Sequence, residues 1–500
     1  MAVLLLVLSL SLLPYALFLN YIFYLMFIGF RILLIITLTG WINPPVSPIK
    51  GNPTKAFQDY FTGVSHFKEG NIPLANQYFH SAHANIPTNF SFCLSYSLTQ
   101  GKLNRLKEAE ELLRQSNALI KGNESDVQEK KALISFFKGM IQIYNTRFDE
   151  AQISLKTAQK NFESMGEKTM VSIIHNAIGF SIFANQGMNL DKSNEKKLHG
   201  HIYPVSLFRS ASYFQKSLFA DPSNIYAQHN FNLLNDTLCL DFSAPIVKKP
   251  ILNVDQISAD WEATLLNKLA IHPNDEVVFL LDISGSMITE KVTCSGLDRF
   301  RTAQWLTNRI LGILNTDKQV GIGSIGGDCH TPQTVWKKVG TTSIKDIQNT
   351  ISSILPEGST PLAKMLALSP DLFSTHSNSR KSLIVISDGA NTCPHPQQDI
   401  CTSAKILSDK NINVHVLSFL QNTVSHAAAF ADYECLTETT SGKLLYLEDN
   451  QCQMKSLSYD LVQACGLKLP SFEKSNCLGP SIPNLWMYYK SDLFIDKNKN

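Results

Sequence analysis

Residues 276–287 read EVVFLLDISGSM, an apolar run that ends in Asp282-x-Ser284-x-Ser286. The run has the length and composition of a buried strand. It delivers one carboxylate and two hydroxyls, at alternate positions, into the loop at its carboxyl end. Hard oxygen donors grouped this way suit Mg²⁺ or Mn²⁺ and suit soft metals poorly. Loops beyond strand ends are also where open α/β sheets bind ligands.

Two further segments supply donors of the same kind. In PEGSTPL (356–362), Thr360 sits in a Gly/Pro turn just before the helical pattern LAKMLAL. In KSLIVISDG (381–389), a second apolar strand ends in Asp388 and a glycine. Strand–DxSxS, loop threonine before a helix, and strand–Asp-Gly together resemble the von Willebrand factor A domain over roughly residues 272–467. The resemblance implies a metal-ion-dependent adhesion site. Ser284, Ser286 and Thr360 would contact the metal directly or in turn, and Asp282 and Asp388 would act partly through water. The site is expected on a surface loop, so Asp282→Ala is expected to spare the fold.

The sequence between these segments fits that fold without the family name. A helical pattern runs from Arg299 to Leu314, with Phe300, Trp305, Ile310 and Ile313 among its apolar positions. Strand-like runs follow at 318–325, 411–419 and 442–448, with helical patterns between several of them. Alternation of this kind predicts an α/β doubly wound, mostly parallel sheet. Gly285, Gly323, Gly358 and Gly389 permit tight loops near the strand ends.

A chain of 500 residues exceeds one ordinary core, so two or three domains are expected. The formal charge of +2 and the lack of a basic stripe with aromatics argue against nucleic acid as a partner. From Ala2 to Gly40 the only charged side chain is Arg31. This predicts a transmembrane segment over 1–40, as one tilted helix or two short ones. A cleaved signal peptide fits less well, because a basic n-region is missing. WINPPVSPIKGNP (41–53) reads as a Pro-rich spacer.

Residues 54–240 contain long amphipathic patterns with a period near 34. Gly63, Phe67, Gly70, Ala75, Phe79, Ala82 and Pro87 fall at offsets nearly repeated by Gly139, Phe148, Ala151, Leu155 and Ala158. Small residues at these places let antiparallel helices approach closely, and large ones fill the gap. The pattern is similar to the tetratricopeptide repeat, with a polar insertion from Met188 to His201. An ordinary helical domain is the alternative. Such a solenoid implies a concave face for a peptide or protein. Residues 241–271 read as a linker with one short helix near Ala259 to Leu269, and 468–500 as a tail. Solenoid and sheet are expected to keep separate cores.

Eight of the ten cysteines lie between Cys294 and Cys477. Cys393 and Cys401 bracket the loop after Asp388 and resemble a loop disulfide of exported members of the von Willebrand A family. Cys294 with Cys329 is a further candidate pair, and Cys435, Cys452, Cys465 and Cys477 offer others. Buried free thiols, or a zinc site from Cys393, His395 and Cys401, are the alternatives. An oxidising compartment is favoured.

No catalytic set is visible: the serines of DISGSM occupy no nucleophile elbow, and no phosphate loop occurs. The expected function is therefore binding, not catalysis. A metal touched mainly by hydroxyls would accept an acidic side chain from a partner protein, as the family resemblance implies. The combination resembles bacterial membrane proteins of the aerotolerance-operon type, here with the repeats first. The resemblance implies a bacterial inner-membrane protein, and the cysteines lead us to expect its soluble domains on the extracytoplasmic side. The alternative is a cytoplasm-facing accessory subunit of an AAA+ ATPase of the MoxR or chelatase kind.

Overall fold

The computed structural model describes residues 51–469, except 123, 189–194, 199–200, 239–264, 273, 294, 315–318, 331–334, 376–378, 394–398 and 449–452. The expected transmembrane segment, most of the spacer, the tail beyond 469 and much of the linker lie outside the described residues. Among the described residues no helix is long and apolar enough to cross a membrane.

Among the described residues nine helices come first: α1 (Pro53–Lys68), α2 (Ile72–Asn85), α3 (Phe90–Lys102), α4 (Leu106–Ala118), α5 (Glu124–Tyr144), α6 (Phe148–Ser164), α7 (Lys168–Met188), α8 (Val205–Ala220) and α9 (Ile225–Leu238). The turns inside successive pairs are built alike. Gly70, Asn104 and Thr146 take left-handed φ values of 82°, 61° and 60°. The residue after each closes the same six-residue bond, Asn71 to the His66 carbonyl, Arg105 to Gln100 and Arg147 to Gln142, at 2.8–2.9 Å. A left-handed residue followed by that bond is how a helix ends abruptly and turns back.

Close helix crossings recur as well. A Cβ placed on Gly63 would lie 2.7 Å from the Phe79 ring, on Gly139 2.7 Å from Leu155, and on Gly179 2.8 Å from Phe214. Only glycine lets each pair pack at that distance. Ala75, Phe79, Ala82, Ala151 and Leu155 are all fully buried, as their spacing predicts. The polar insertion after α7 carries a two-stranded antiparallel ribbon, β1 (Glu195–Leu198) and β2 (His201–Pro204).

A seven-stranded sheet follows: β3 (Glu276–Asp282), β4 (Val320–Ile325), β5 (Trp336–Lys337), β6 (Lys381–Ser387), β7 (Ile412–Ser418), β8 (Leu444–Glu448) and β9 (Gln453–Lys455). Their spatial order is β5-β4-β3-β6-β7-β8-β9. The central pairings are parallel, and only the outermost strands run antiparallel. The mostly parallel sheet expected from the sequence is thus present. Its helices are α10 (Arg299–Leu314), α11 (Ile344–Ser353), α12 (Leu362–Leu368), α13 (Ile400–Asp409) and α14 (Ala427–Thr439).

Strand β3 is buried at every position, and its side chains divide between two cores. Val277, Phe279 and Leu281 pack with Phe300 and Ile310 of α10 and Ile347 of α11. Val278 and Leu280 face the opposite layer, with Leu366, Leu407 and Phe430 of α12, α13 and α14. Of the apolar positions expected in α10, Phe300 and Ile310 are buried, whereas Ile313 is exposed.

Two expectations about domain limits are corrected. The core on the α12–α14 side continues without interruption into α1–α9. Phe57 and Phe61 of α1 meet Phe430 of α14, with ring centroids 6.4 and 5.1 Å apart. The helical array and the sheet therefore do not keep separate cores. The end of the expected linker is core too: Leu265, Leu266, Leu269 and Ile271 are buried against the other sheet face.

Candidate metal centre

Strand β3 pairs with β4 on one side and β6 on the other, so the chain reverses its winding direction at the carboxyl end of β3. Such a switch point leaves a crevice between diverging loops. Asp282 is the last residue of β3, and Ser387, the residue before Asp388, is the last of β6.

The five expected donors meet there. Asp282 is completely buried, and its carboxylate accepts from the Ser284 amide at 2.9 Å and from the Ser387 hydroxyl. The Ser284 and Ser286 hydroxyls lie 3.0 Å apart. Ser286 donates to Asp388 at 2.8 Å. Thr360 is buried beside the Asp388–Gly389 turn; its hydroxyl would lie 3.7 Å from a Cβ on Gly389. Its backbone is tied to the same turn, with the Thr392 amide donating to the Thr360 carbonyl at 3.1 Å and the Thr360 amide to the Thr392 hydroxyl at 2.7 Å.

The Thr360 loop is held by backbone contact. Gly358 has φ 82° and packs so tightly on Gly327 that a Cβ would fall 2.4 Å from its carbonyl oxygen. The Gly285 amide donates to the Gly358 carbonyl at 3.1 Å, which joins this loop to the DISGSM loop.

Sequence reasoning missed Arg299. Its guanidinium donates to Asp388 at 2.9 Å and also pairs with Glu290. Arg299 opens α10, where a cation faces the positive end of the helix dipole. A basic residue in that unfavourable place was the available signal that a carboxylate lay nearby. With one Asp388 oxygen on Arg299 and the other on Ser286, Asp388 is placed to act through an intermediate and not as a direct ligand.

Among the described residues Asp282 has no such cation. Burial pushes its carboxyl up to about 6; the Ser387 hydrogen bond opposes the rise and the charge of Asp388 adds to it. A buried carboxylate without a cation beside hydroxyl oxygens fits a hard divalent ion, which would remove the desolvation penalty. Among the described residues no three His, Cys, Asp or Glu side chains gather as a metal site. The donor set here depends on hydroxyls. Asp282 is also structural, since it holds both the Ser284 amide and Ser387. The expected surface-loop position of Asp282 is corrected: it is buried at the end of β3.

The cysteines pair differently from expectation. Cys393 joins Cys329, with Cα atoms 5.3 Å apart, and Cys401 joins Cys435 at 5.7 Å. Cys393 does not pair with Cys401, because Cys401 lies on α13 and is drawn to the neighbouring α14. Cys329 is consequently not the partner of Cys294, and Cys465 is a buried free thiol. The zinc alternative fails for the same reason, as both of its cysteines are already bonded. Cys294, Cys452, Cys477 and His395 lie outside the described residues. The Cys329–Cys393 bond ties the loop after β4 to the loop after Asp388, so it braces two walls of the crevice.

Comparison with known proteins gives partial matches over the sheet region. Residues 277–391 match the von Willebrand factor type A domain. Similar solved structures include the conserved hypothetical protein BatB from Bacteroides thetaiotaomicron, at 21% identity over 38% of this chain and 96% of that one, with a TM-score of 0.29. An aerotolerance-related membrane protein from Bacteroides fragilis is similar at 21% identity, over 35% and 93% of the two chains, with a TM-score of 0.28. Proximal thread matrix protein 1 from the mussel byssus, with a zinc-occupied MIDAS motif, is similar at 14% identity, over 41% and 52%, with a TM-score of 0.29. No curated protein matches the chain.

Proposed function

We propose that this protein is a membrane-anchored binding protein that grips an acidic side chain of a partner protein through a divalent ion. Asp282, Ser284, Ser286, Thr360 and Asp388 would hold Mg²⁺ or Mn²⁺. The observation that carries this reading is Asp282, fully buried and without a cationic partner among the described residues, beside three hydroxyls at a sheet switch point. A bound ion would offer an open coordination position to an outside carboxylate. The chain's own residues set its strength. Arg299 neutralises Asp388, so the direct ligands are largely neutral hydroxyls and the ion stays electrophilic. The apolar side chains of Ile288, in the helical turn Ser286–Thr289, and Leu355, in the loop before Thr360, are 51% and 81% exposed and would frame the incoming acid.

The anchor is assigned to residues 1–40, the helical array to the tetratricopeptide type, and the location to the extracytoplasmic side of a bacterial inner membrane. Two disulfides support an oxidising compartment over the cytoplasmic AAA+ accessory reading. We assign no catalytic role.

The test is calorimetric titration of Mn²⁺ and Mg²⁺ into the full chain, and into the Ser284→Ala and Thr360→Ala variants. Each substitution is expected to weaken ion binding at least tenfold without loss of fold. Unchanged ion affinity in both folded variants would overturn the assignment.

A further inference from the structure

The segment after β9 crosses the helical array from its first pair to its last. Tyr60 of α1 donates to the Leu457 carbonyl at 2.8 Å, Ser91 of α3 meets the Ser458 hydroxyl at 2.8 Å, and the Tyr459 hydroxyl donates to Glu129 of α5 at 2.7 Å. Farther along, Asn176 of α7 and Asn230 of α9 both donate to the Leu467 carbonyl, at 3.0 and 2.8 Å. Asn230 accepts from the Leu469 amide at 2.7 Å, and a ring nitrogen of His229 lies 2.9 Å from the Leu469 carbonyl. These contacts fall on the first helix of each pair, in chain order.

The far end of this strap has the marks of a ligand site. Asn176 and Asn230 are buried, yet they direct their amides to main-chain groups of the strap and to each other, at 2.9 Å. An amide that donates to one peptide carbonyl and accepts from the N–H two residues on reads an extended backbone much as a neighbouring strand does. Without the strap the two amides would keep only their mutual bond and lose every main-chain partner at Leu467 and Leu469. Leu467 and Leu469 point inward and Lys468 outward, the alternation of an extended chain. A Cβ on Gly466 would fall 2.1 Å from the Tyr226 ring, so the groove admits only glycine there.

We propose that this face of the helical array is a peptide-binding groove, that its resident ligand is this chain's own segment 457–469, and that an extended Gly-Leu-x-Leu peptide can replace it. The groove reads backbone through Asn176, Asn230 and His229, and selects by shape through Tyr226 and the two leucine positions. It is closed in cis, so a partner gains entry by displacing the strap. This inference does not depend on the metal site.

The experiment uses the full chain carrying Gly466→Val, which leaves every groove residue intact while the new side chain collides with Tyr226. A fluorescent peptide of residues 457–469 carrying Cys465→Ser, without reductant, should bind the folded variant at least tenfold more tightly than the wild type. Adding Asn176→Ala and Asn230→Ala should abolish that binding. A folded Gly466→Val protein that ignores the peptide would overturn the proposal. If that variant does not fold, hydrogen exchange of the wild type decides. Amides of 466–469 should exchange at least tenfold faster than those of β6, and Asn230→Ala should accelerate them alone. Exchange of both segments only in one global event would show the strap to be inseparable core, and the proposal would fall.

Discussion

The Tyr433 hydroxyl donates to the Gly389 carbonyl at 2.5 Å, which joins helix α14 to the residue that follows Asp388. Tyr433 is completely buried, and burial holds its phenol far above its ordinary range, so the proton stays on the oxygen and the bond keeps its direction. Phe430, one turn earlier, packs on Phe57 and Phe61, and the next residue, Glu434, accepts from Asn89 at 2.6 Å. A single helix therefore touches the metal-site loop with one residue and the helical array with its neighbours.

Tyr433→Phe removes that bond and leaves the Gly389 carbonyl with only a 3.4 Å contact from the Ser387 hydroxyl. The expected cost is about 1–3 kcal/mol of stability, the penalty for a buried acceptor stripped of its donor. Mn²⁺ affinity should fall severalfold as the Asp388 turn loosens. Urea unfolding and Mn²⁺ titration of the same preparation measure both. No change in either would show that the bond does not position the turn.

Asp460 gives a pH dependence with a definite sign. It lies on the strap, is buried, and accepts from Asn422 at 2.9 Å and from Tyr446. Burial pushes its carboxyl from 3.8 up to about 6, against those hydrogen bonds. A folded value above the unfolded one favours the protonated form, so this stabilisation is complete below about pH 4 and is lost as pH rises through about 6. Asp460→Asn keeps one carbonyl oxygen for Asn422 and Tyr446 and carries no charge. It should match the wild type near pH 4 and exceed it above pH 7 by up to about 3 kcal/mol. Denaturant titrations at both pH values check this, and a constant offset would refute the assignment.

The sheet and the five donors were legible because each is a local pattern. Val277 to Leu281 announce a buried strand by their own composition, and Asp282, Ser284 and Ser286 inherit their direction from its alternation. Helix pairs were legible through Gly63 with Phe79 and Gly139 with Leu155, which recur at one spacing. What stayed hidden depends on distant partners. Arg299 finds Asp388 across 89 positions, and Tyr60 finds Leu457 across 397. Arg299 carries only the weak mark of a cation at a helix start, which does not name Asp388, and Tyr60 carries none. Cysteine pairing failed for a related reason: the family resemblance suggested Cys393 with Cys401, whereas the fold sets Cys393 beside the loop after β4.

Non-reducing peptide mapping of the full chain should recover Cys329–Cys393 and Cys401–Cys435, with Cys93 and Cys465 free. The first bond closes a loop of 64 residues, for which chain entropy alone gives roughly 4 kcal/mol. Cys329→Ser with Cys393→Ser should therefore lower the unfolding free energy by several kcal/mol and weaken Mn²⁺ binding, because the bond braces the crevice. Recovery of a Cys393–Cys401 peptide would contradict the fold of this loop.

Ala151 tests whether helices and sheet stand or fall together. It is fully buried where α6 crosses α5, and its carbonyl oxygen is among the nearest atoms to the space above Gly139. Ala151→Asp places an unpaired charge there, at a cost on the order of 3 kcal/mol or more. Were the two regions separate, the sheet would survive that damage. The shared core argues otherwise: Phe57, Phe61 and Phe430 form one cluster, and Lys443 beside β8 pairs with Asp126 and Glu129 of α5 at 3.1 and 3.3 Å. Loss of α5 and α6 packing therefore removes counter-charges from a buried lysine of the sheet region, whose pKa is held up by those two carboxylates against burial. Unfolding of Ala151→Asp, followed by far-UV circular dichroism and by proteolysis between β6 and β8, should give one coincident transition. A sheet fragment that resists protease after the helices are digested would show two independent cores.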